Sequence, residues 1–204
     1  MALEDFRTYT EVDADADITV TQTKCDVSSM RRDADSHVYK DMGVGHFGDF
    51  EHKFTMRCSA HQLSSSSGVW GLSNGAHTIG DKYTADVGLM VYCYDSSNQI
   101  TVNLQDAGTA LNARQNIVVN TTYYCTVDRS GTTLRLRIYS DAARTTLKWT
   151  LSGVCVNTTF RYIEAVQSRE SADADAANTI SAYVEDLDLQ EPALGYAHSF
   201  GVII

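Results

Sequence analysis

The regular alternation of side chains from Phe50 to Cys58 restricts the fold of this chain more than any other feature of the sequence. In the order FEHKFTMRC, one side carries Phe, His, Phe, Met and Cys, and the other carries Glu, Lys, Thr and Arg. A period of two with one apolar and one charged face is typical of a strand half-buried in an antiparallel sheet. Because Glu51 and His52 fall on opposite faces, we interpret the segment as a scaffold strand and not as a catalytic pair.

Similar alternating segments recur along the chain with turn residues between them. The Ser130-Gly131 turn separates two of them and predicts a hairpin. A serine-rich loop is expected at 61–68, and the polar segment 106–116 has room for one helical turn, although no segment has a convincing helical period. Strands at regular spacing predict an all-β fold, a two-sheet antiparallel β-sandwich of the jelly-roll kind. Besides 50–58, the predicted strands are 18–24, 37–42, 69–73, 87–94, 100–105, 123–129, 133–139, 147–151, 160–167 and 180–189.

Length and proline content favour one domain. The chain has 204 residues and a single proline, Pro192, so no proline-rich linker divides it. A chain of this length can bury a core without help from a metal or a disulfide. We predict an N-terminal extension at 1–17, a sandwich domain at 18–190 and an apolar tail at 191–204.

The charge balance limits the partners. A net charge of −10 argues against a nucleic-acid backbone or an anionic membrane as the main partner. Neutral glycans, cations and basic protein surfaces remain compatible, as does a simple role in solubility. No apolar run reaches transmembrane length and the N-terminus has no signal-peptide core. We expect synthesis without classical secretion, unless the sequence has been trimmed.

Five dispersed cysteines indicate core thiols. They form no C-x-x-C pair, and Cys58, Cys93 and Cys125 keep phase with apolar neighbours. This pattern favours reduced, buried thiols over a disulfide framework or a zinc site, and it fits synthesis in a reducing compartment. A bridge between two strands is the alternative.

The order of these segments resembles a known superfamily. The strand with GDFEHKF, the hairpin YYCTVDRSGTTLRLRIYSD, the segment FRYIEAV and a closing strand are together similar to the concanavalin A-like lectin/glucanase superfamily, with laminin G-like modules as the nearest type. VYKDMGVGHFGDFEH also resembles modules of phage and environmental-microbe proteins. The resemblance covers about residues 5 to 190. It implies the sandwich fold but leaves function open, since one fold hosts lectins, hydrolases and structural modules.

The superfamily's glucanases imply a first functional hypothesis, glycoside hydrolysis. Those enzymes carry Glu-x-Asp-x-x-Glu on a central strand, which places two carboxylates on one face. The nearest string here, from Glu11 to Asp15, precedes the first predicted strand and has no third carboxylate in place. Glu164 is a lone strand glutamate, a type that is most often a surface residue. We therefore predict that the protein is not an enzyme, with a glycoside hydrolase as the least favoured alternative.

A carbohydrate-binding surface is the second hypothesis. Sugars are held by aromatic side chains together with planar hydrogen-bonding groups. Trp70, His77 and Tyr83 are the predicted glycan-binding residues, since they lie in or beside the polar segment 74–86. Most aromatic residues of a sandwich pack in its core, and the sequence alone does not separate a packed tryptophan from an exposed one.

Calcium is the predicted cofactor, with two alternative ligand sets. Repeated Asp-Ala-Asp segments place Asp13 and Asp15 on one face of an extended chain, where their repulsion would favour a cation. The resemblance instead implies one structural Ca²⁺ between terminal strands, held by Asp5, Asp186 and Asp188. Solvated acidic loops explain either set equally well.

The C-terminal segment ALGYAHSFGVII is more apolar than a solvated terminus requires. We predict that it docks on a neighbouring subunit, a larger shell or its own sandwich. Together with the phage-like resemblance, it favours a virion component, a capsid decoration or adhesion protein acting through assembly or glycan contacts at a virion or cell-exterior surface. A free carbohydrate-binding module is the alternative. The predicted assembly residues are Tyr196, Phe200, Val202 and Ile203.

Overall fold

In a computed structural model, the chain forms two antiparallel seven-stranded sheets that face each other. The structure describes residues 3–85, 88–97, 99–106, 112–169 and 177–190. Side chains from the two inner faces pack into one apolar core. The predicted two-sheet β-sandwich is therefore confirmed.

The described residues contain fourteen strands, one short α-helix and a 3-10 turn at Phe6–Thr8. The helix, α1, spans Ile79–Ala85. The strands are β1 (Thr10–Val12), β2 (Ile18–Val20), β3 (Lys24–Arg31), β4 (His37–Asp41), β5 (Phe50–His61), β6 (Ser66–Ser73), β7 (Leu89–Ser96), β8 (Gln99–Asp106), β9 (Asn112–Asn116), β10 (Tyr123–Ser130), β11 (Thr133–Tyr139), β12 (Leu147–Val154), β13 (Tyr162–Gln167) and β14 (Thr179–Gln190).

Strand order brings distant segments together. The first sheet runs β1-β4-β13-β6-β7-β8-β9, and the second runs β12-β11-β10-β5-β14-β3-β2. The alternating segment at Phe50 becomes β5, which pairs with β10 on one side and β14 on the other. Its charged face points outward, where Glu51 pairs with Lys53 at 3.1 Å and with Arg137 at 3.2 Å. The segment is the central strand that its alternation predicts.

The inner face of β5 meets the first sheet through a buried polar contact. Phe50, His52 and Phe54 have at most 4% of their surface exposed. The indole Nε1 of Trp70, on β6, donates a hydrogen bond to His52 Nδ1 at 3.2 Å. His52 is thus a hydrogen-bonded core histidine, because a buried imidazole needs a partner for its ring nitrogens.

A buried arginine fixes the turn that leads into β5. Arg129, at the end of β10, donates hydrogen bonds to the backbone oxygens of Gly48 and Asn157. Its guanidinium also lies over the rings of Phe50 and Phe160. Burial lowers the pKa of Arg129, and these contacts hold its charge in place.

The five cysteines are free and buried, as predicted. Burial raises the pKa of Cys125 to about 12. A hydrogen bond to Cys58, together with burial, also raises the pKa of Cys93. Such thiols behave as small apolar side chains, because the reactive thiolate form is suppressed.

Four local predictions differ from the structure. Segment 61–68 was expected to be a loop, but Ser66, Ser67 and Gly68 belong to β6 and are buried. The sequence of helix α1 has no helical period, and it carries a glycine at the second position of the helix. The predicted extension 1–17 contributes β1, which pairs with β4. The end of segment 106–116 forms strand β9, which pairs with β8. Whether such a segment becomes a strand depends on pairing with a neighbouring strand, which local propensity does not encode.

Candidate functional site

The outer face of the first sheet carries aromatic and charged side chains where the opposite face is apolar. On β4, Val38 points to the core while His37 and Tyr39 point outward. On the neighbouring β13, Ile163 points to the core, and Glu164 lies directly opposite Tyr39 of β4 in the strand register. Alternation along two adjacent strands thus gathers these outward side chains at one place.

Four rings form a cluster that we call the aromatic platform: His37, Tyr39, His77 and Tyr162. The rings of Tyr39 and His77 stack with centroids 4.0 Å apart at 20°. Tyr162 meets His77 edge-on at 5.0 Å, and His37 stacks on His77 at 5.2 Å. Tyr39, His77 and Tyr162 keep part of their surface exposed, whereas His37 is buried. The platform is therefore an aromatic surface that is partly exposed to solvent.

Charged groups border the platform. Arg161 lies over the ring of Tyr162 at 5.0 Å and forms a two-point ion pair with Asp41, at 2.8 and 2.5 Å. The Arg161 hydrogen bond holds the pKa of Asp41 at about 2. A depression of about 470 Å³ lies between the segment from Asn74 to Ala76 and helix α1. Hydrogen-bonding groups thus stand at the edge of an aromatic surface.

Beneath the platform lies a cluster of fully buried polar side chains, the buried network: Ser73, Lys82, Glu164 and Gln167. Glu164 Oε1 accepts a hydrogen bond from Ser73 Oγ at 2.5 Å and lies 3.4 Å from His77 Nδ1. Lys82 Nζ lies 3.6 Å from Glu164 Oε2 and donates to Gln167 Oε1 at 2.5 Å. Burial lowers the pKa of Lys82. A buried ion pair is costly to desolvate, and groups with a shifted pKa cluster at functional sites. The buried network is therefore a candidate functional feature.

Two glycines make room for this network. A Cβ on Gly71 would lie 2.6 Å from Gln167 Nε2 and 2.9 Å from Glu164 Oε2. A Cβ on Gly88, whose φ is +122°, would lie 2.8 Å from Lys82 Cδ. Side chains larger than hydrogen at these positions would displace the buried polar groups.

The three predicted glycan residues have different positions. His77 belongs to the aromatic platform. Trp70 has no exposed surface and packs in the core, so its predicted role in stacking is wrong. Tyr83, on helix α1, donates a hydrogen bond to Gln105 and contacts the hydroxyl of Tyr92, so it anchors the helix to the sheet.

The predicted calcium ligands do not form a metal centre. Both carboxylate oxygens of Asp13 accept backbone N–H groups, those of Asp17 and Ile18, at 3.0 Å. Asp15 lies 3.5 Å from the guanidinium of Arg31. No group of three potential ligands converges anywhere in the part of the chain that the structure describes. These carboxylates are occupied by protein donors and do not fit a structural Ca²⁺.

The alternative ligands lie on the other sheet. Asp186 sits at a bulge of β14 with φ +54°, and Asp188 Oδ2 accepts a hydrogen bond from Gln190 at 2.9 Å. Asp5 caps the 3-10 turn and pairs with Arg7 at 2.7 Å. Asp5 is therefore paired with Arg7, and among the described residues it forms no ligand group with the two β14 carboxylates. The predicted assembly residues of the tail lie outside the described residues.

Most of the site carries no signal in the sequence. Glu164 is fully buried although a lone strand glutamate predicts a surface residue, and no motif marks Lys82. Alternation in HVYKD and YIEAVQ does place Tyr39 and Tyr162 on the outer face, which is the one signal that identifies them. Nothing local shows that β13 pairs with β4 and β6.

Comparison with solved structures confirms the fold, a concanavalin A-like β-sandwich. A functionally unknown protein from Saccharomyces cerevisiae matches with a TM-score of 0.59 and 11% identity, over 92% of this chain and 98% of that one. The Ca²⁺-bound VIP36 exoplasmic/lumenal domain matches with 0.61 and 9%, over 93% and 90%. A native glycosidic hydrolase matches with 0.56 and 8%, over 92% and 93%. No protein-family model and no curated protein matches the sequence.

These identities support the fold alone. Among the described helical residues, none forms a segment long and apolar enough to cross a membrane.

Proposed function

We propose that the protein is a non-catalytic carbohydrate-recognition module that binds glycans on the aromatic platform. The observation that carries this proposal is the half-exposed cluster of Tyr39, His77 and Tyr162 with Arg161 and Asp41 at its edge. Aromatic faces stack on the apolar faces of sugar rings, and charged rim groups hydrogen-bond the hydroxyls. A neutral glycan also avoids the repulsion that an acidic protein exerts on anions.

The similar structures give this proposal its second support. VIP36 has been solved in a form bound to Ca²⁺ and Man2. This shows that the fold accommodates sugar recognition, although it does not identify a sugar for this chain. The calcium prediction draws support only from such structures, since no group of three potential ligands converges among the described residues.

Glycoside hydrolysis is the second candidate, because Glu164 lies beside His77 and a glycosidic hydrolase shares the fold. Hydrolysis requires two carboxyl groups, separated by about 5 to 9.5 Å, that reach the substrate. Glu164 is fully buried and does not reach solvent. Asp41 is ion-paired with Arg161, and its pKa of about 2 keeps it deprotonated, so it cannot serve as a general acid. Recognition is therefore the better supported function.

The sequence also predicts a place for this module, in a virion or at a cell-exterior surface, assembled through its tail. This part of the proposal rests on the apolar tail and the phage-like resemblance. Measuring the mass in solution of chains 1–204 and 1–190 tests it. We expect oligomers only for the longer chain; a monomer in both cases would contradict assembly through the tail.

A glycan array tests the binding site. The wild-type protein is expected to retain a subset of neutral glycans, and Tyr39→Ala and Tyr162→Ala are each expected to reduce that signal at least tenfold. Tyr183→Ala is the matched control, because Tyr183 is a half-exposed tyrosine on the second sheet. A blank array for the wild type, or equal losses in all three variants, would contradict the proposal.

A further inference from the structure

The geometry of the buried network points to a covalent cross-link: we propose that Lys82 and Gln167 form an intramolecular isopeptide bond, with Glu164 as the catalytic residue. The bond would join helix α1 to strand β13. This modification is independent of glycan binding, since its groups lie beneath the platform.

The amine nucleophile already contacts the carboxamide group that it would attack. Lys82 Nζ lies 2.5 Å from Gln167 Oε1, and both side chains have no exposed surface. Burial disfavours the charged ammonium, and the lowered pKa of Lys82 increases its neutral amine form. A neutral amine held against a carboxamide, with water excluded, is arranged for attack on the carbonyl carbon.

Glu164 is placed to move the protons. Its Oε2 lies 3.6 Å from Lys82 Nζ. Glu164 Oε2 and Gln167 Nε2 both lack a hydrogen-bond partner despite their burial. Both atoms approach the same point beside Gly71, at 2.9 and 2.6 Å from the position of an added Cβ. Unsatisfied buried polar atoms are costly in a purely structural cluster, and here they are the proton carrier and the leaving group.

The reaction balances without a further reactant. Glu164 first accepts a proton from the Lys82 ammonium, so that both groups become neutral. The lone pair of Nζ then forms a bond to Gln167 Cδ, and the Cδ–Nε2 bond breaks with its electron pair remaining on nitrogen. Glu164 donates its proton to the leaving nitrogen and accepts the extra proton from Nζ. One ammonia leaves and takes up that proton as ammonium, which restores the Glu164 carboxylate; nothing is oxidised or reduced.

Mass spectrometry of the purified full chain tests the proposal. We expect an intact mass lower than the sequence mass by one ammonia, and a branched peptide that joins Lys82 to Gln167 after digestion. Sequencing that peptide distinguishes the cross-link from ammonia loss elsewhere, such as at Asn74-Gly75. A wild-type protein that keeps its full sequence mass after prolonged warm incubation would overturn the proposal, because the contact of Lys82 with Gln167 would then be only a hydrogen bond.

Variants assign the roles. Glu164→Gln preserves the size of the side chain and is expected to abolish the ammonia loss, as is Lys82→Arg. Glu51→Gln is the matched control, because Glu51 lies on the outer face of the second sheet, and it should retain the complete loss. A branched peptide in Glu164→Gln would refute the catalytic role of Glu164. The wild-type measurement stands even if a variant fails to fold.

Discussion

At the scale of single residues, the role of a side chain depends on which face of a strand it occupies. Trp70 lies in a predicted strand beside the polar segment 74–86, which favours exposure, yet it packs between the sheets and donates to His52 at 3.2 Å. Tyr162 lies in an alternating strand and is half-buried on the outer face. A tryptophan beside a polar segment is thus a weaker indication of a binding surface than a tyrosine in phase with a charged face.

Asp17 gives a residue-scale prediction of pH dependence. Burial, aided by the neighbouring Asp13, raises the pKa of Asp17 from 3.8 to about 6. Because the folded state favours the protonated form, the charged form weakens folding as the pH rises from about 4 to 6, and the loss is complete above that range. Asp17→Asn should therefore stabilise the protein at pH 7.5 by about 1 kcal/mol, a value reduced for partial exposure.

Thermal unfolding at several pH values measures this effect. The difference between Asp17→Asn and the wild type should vanish below about pH 4, where the aspartate is protonated in both states. Asp15→Asn is the control, because Asp15 is exposed and faces Arg31, and it should not stabilise the protein. Equal stability of Asp17→Asn and wild type at pH 7.5 would refute the buried-charge interpretation.

At the scale of secondary-structure elements, the site depends on how β6, β13 and α1 meet. Strand β6 has Gly71 where β13 presents Glu164 across the sheet. Helix α1 inserts Lys82 above this gap, and its carbon stem packs against Gly88. The helix has no strong period of its own, so these contacts, and not helix propensity, determine its position.

Gly71 gives the element-scale prediction. Gly71→Ala should destabilise the protein by about 1–3 kcal/mol, because the added methyl group would overlap Gln167 Nε2 and Glu164 Oε2. Gly48→Ala is the matched control, since an added Cβ there has no atom within 4 Å, and it should change stability little. Urea unfolding of the two variants measures the difference; similar values would show that the buried network tolerates the displacement.

At the scale of the whole molecule, the sandwich is held together by packing and by buried polar contacts between elements, with no disulfide among its five cysteines. The buried thiols should be inert in the native protein, because burial suppresses the thiolate. A thiol-reactive chromogenic reagent is expected to modify none of them in the folded state and all five after unfolding without reductant. Fewer than five after unfolding would reveal a disulfide, and rapid reaction before unfolding would show that the core opens.

Much of the architecture follows from the sequence alone. The alternation in β5, in the β10–β11 hairpin and in β14 predicts half-buried strands, because side chains point to opposite faces with a period of two and one face must leave water. The same alternation predicts that His52 and the thiols lie in the core. Elements without such a period, such as α1 and β9, could not be predicted locally.

Only the tertiary structure decided where the aromatic platform and the buried network lie. Lys82 and Gln167 are separated by 85 positions, and they meet because β13 inserts between β4 and β6. Strand order arises from the packing of the whole core, which no local pattern encodes. The sequence by itself therefore determined that β5 is a scaffold strand in a sandwich, whereas the fold decided which outward side chains come together and which charges are buried.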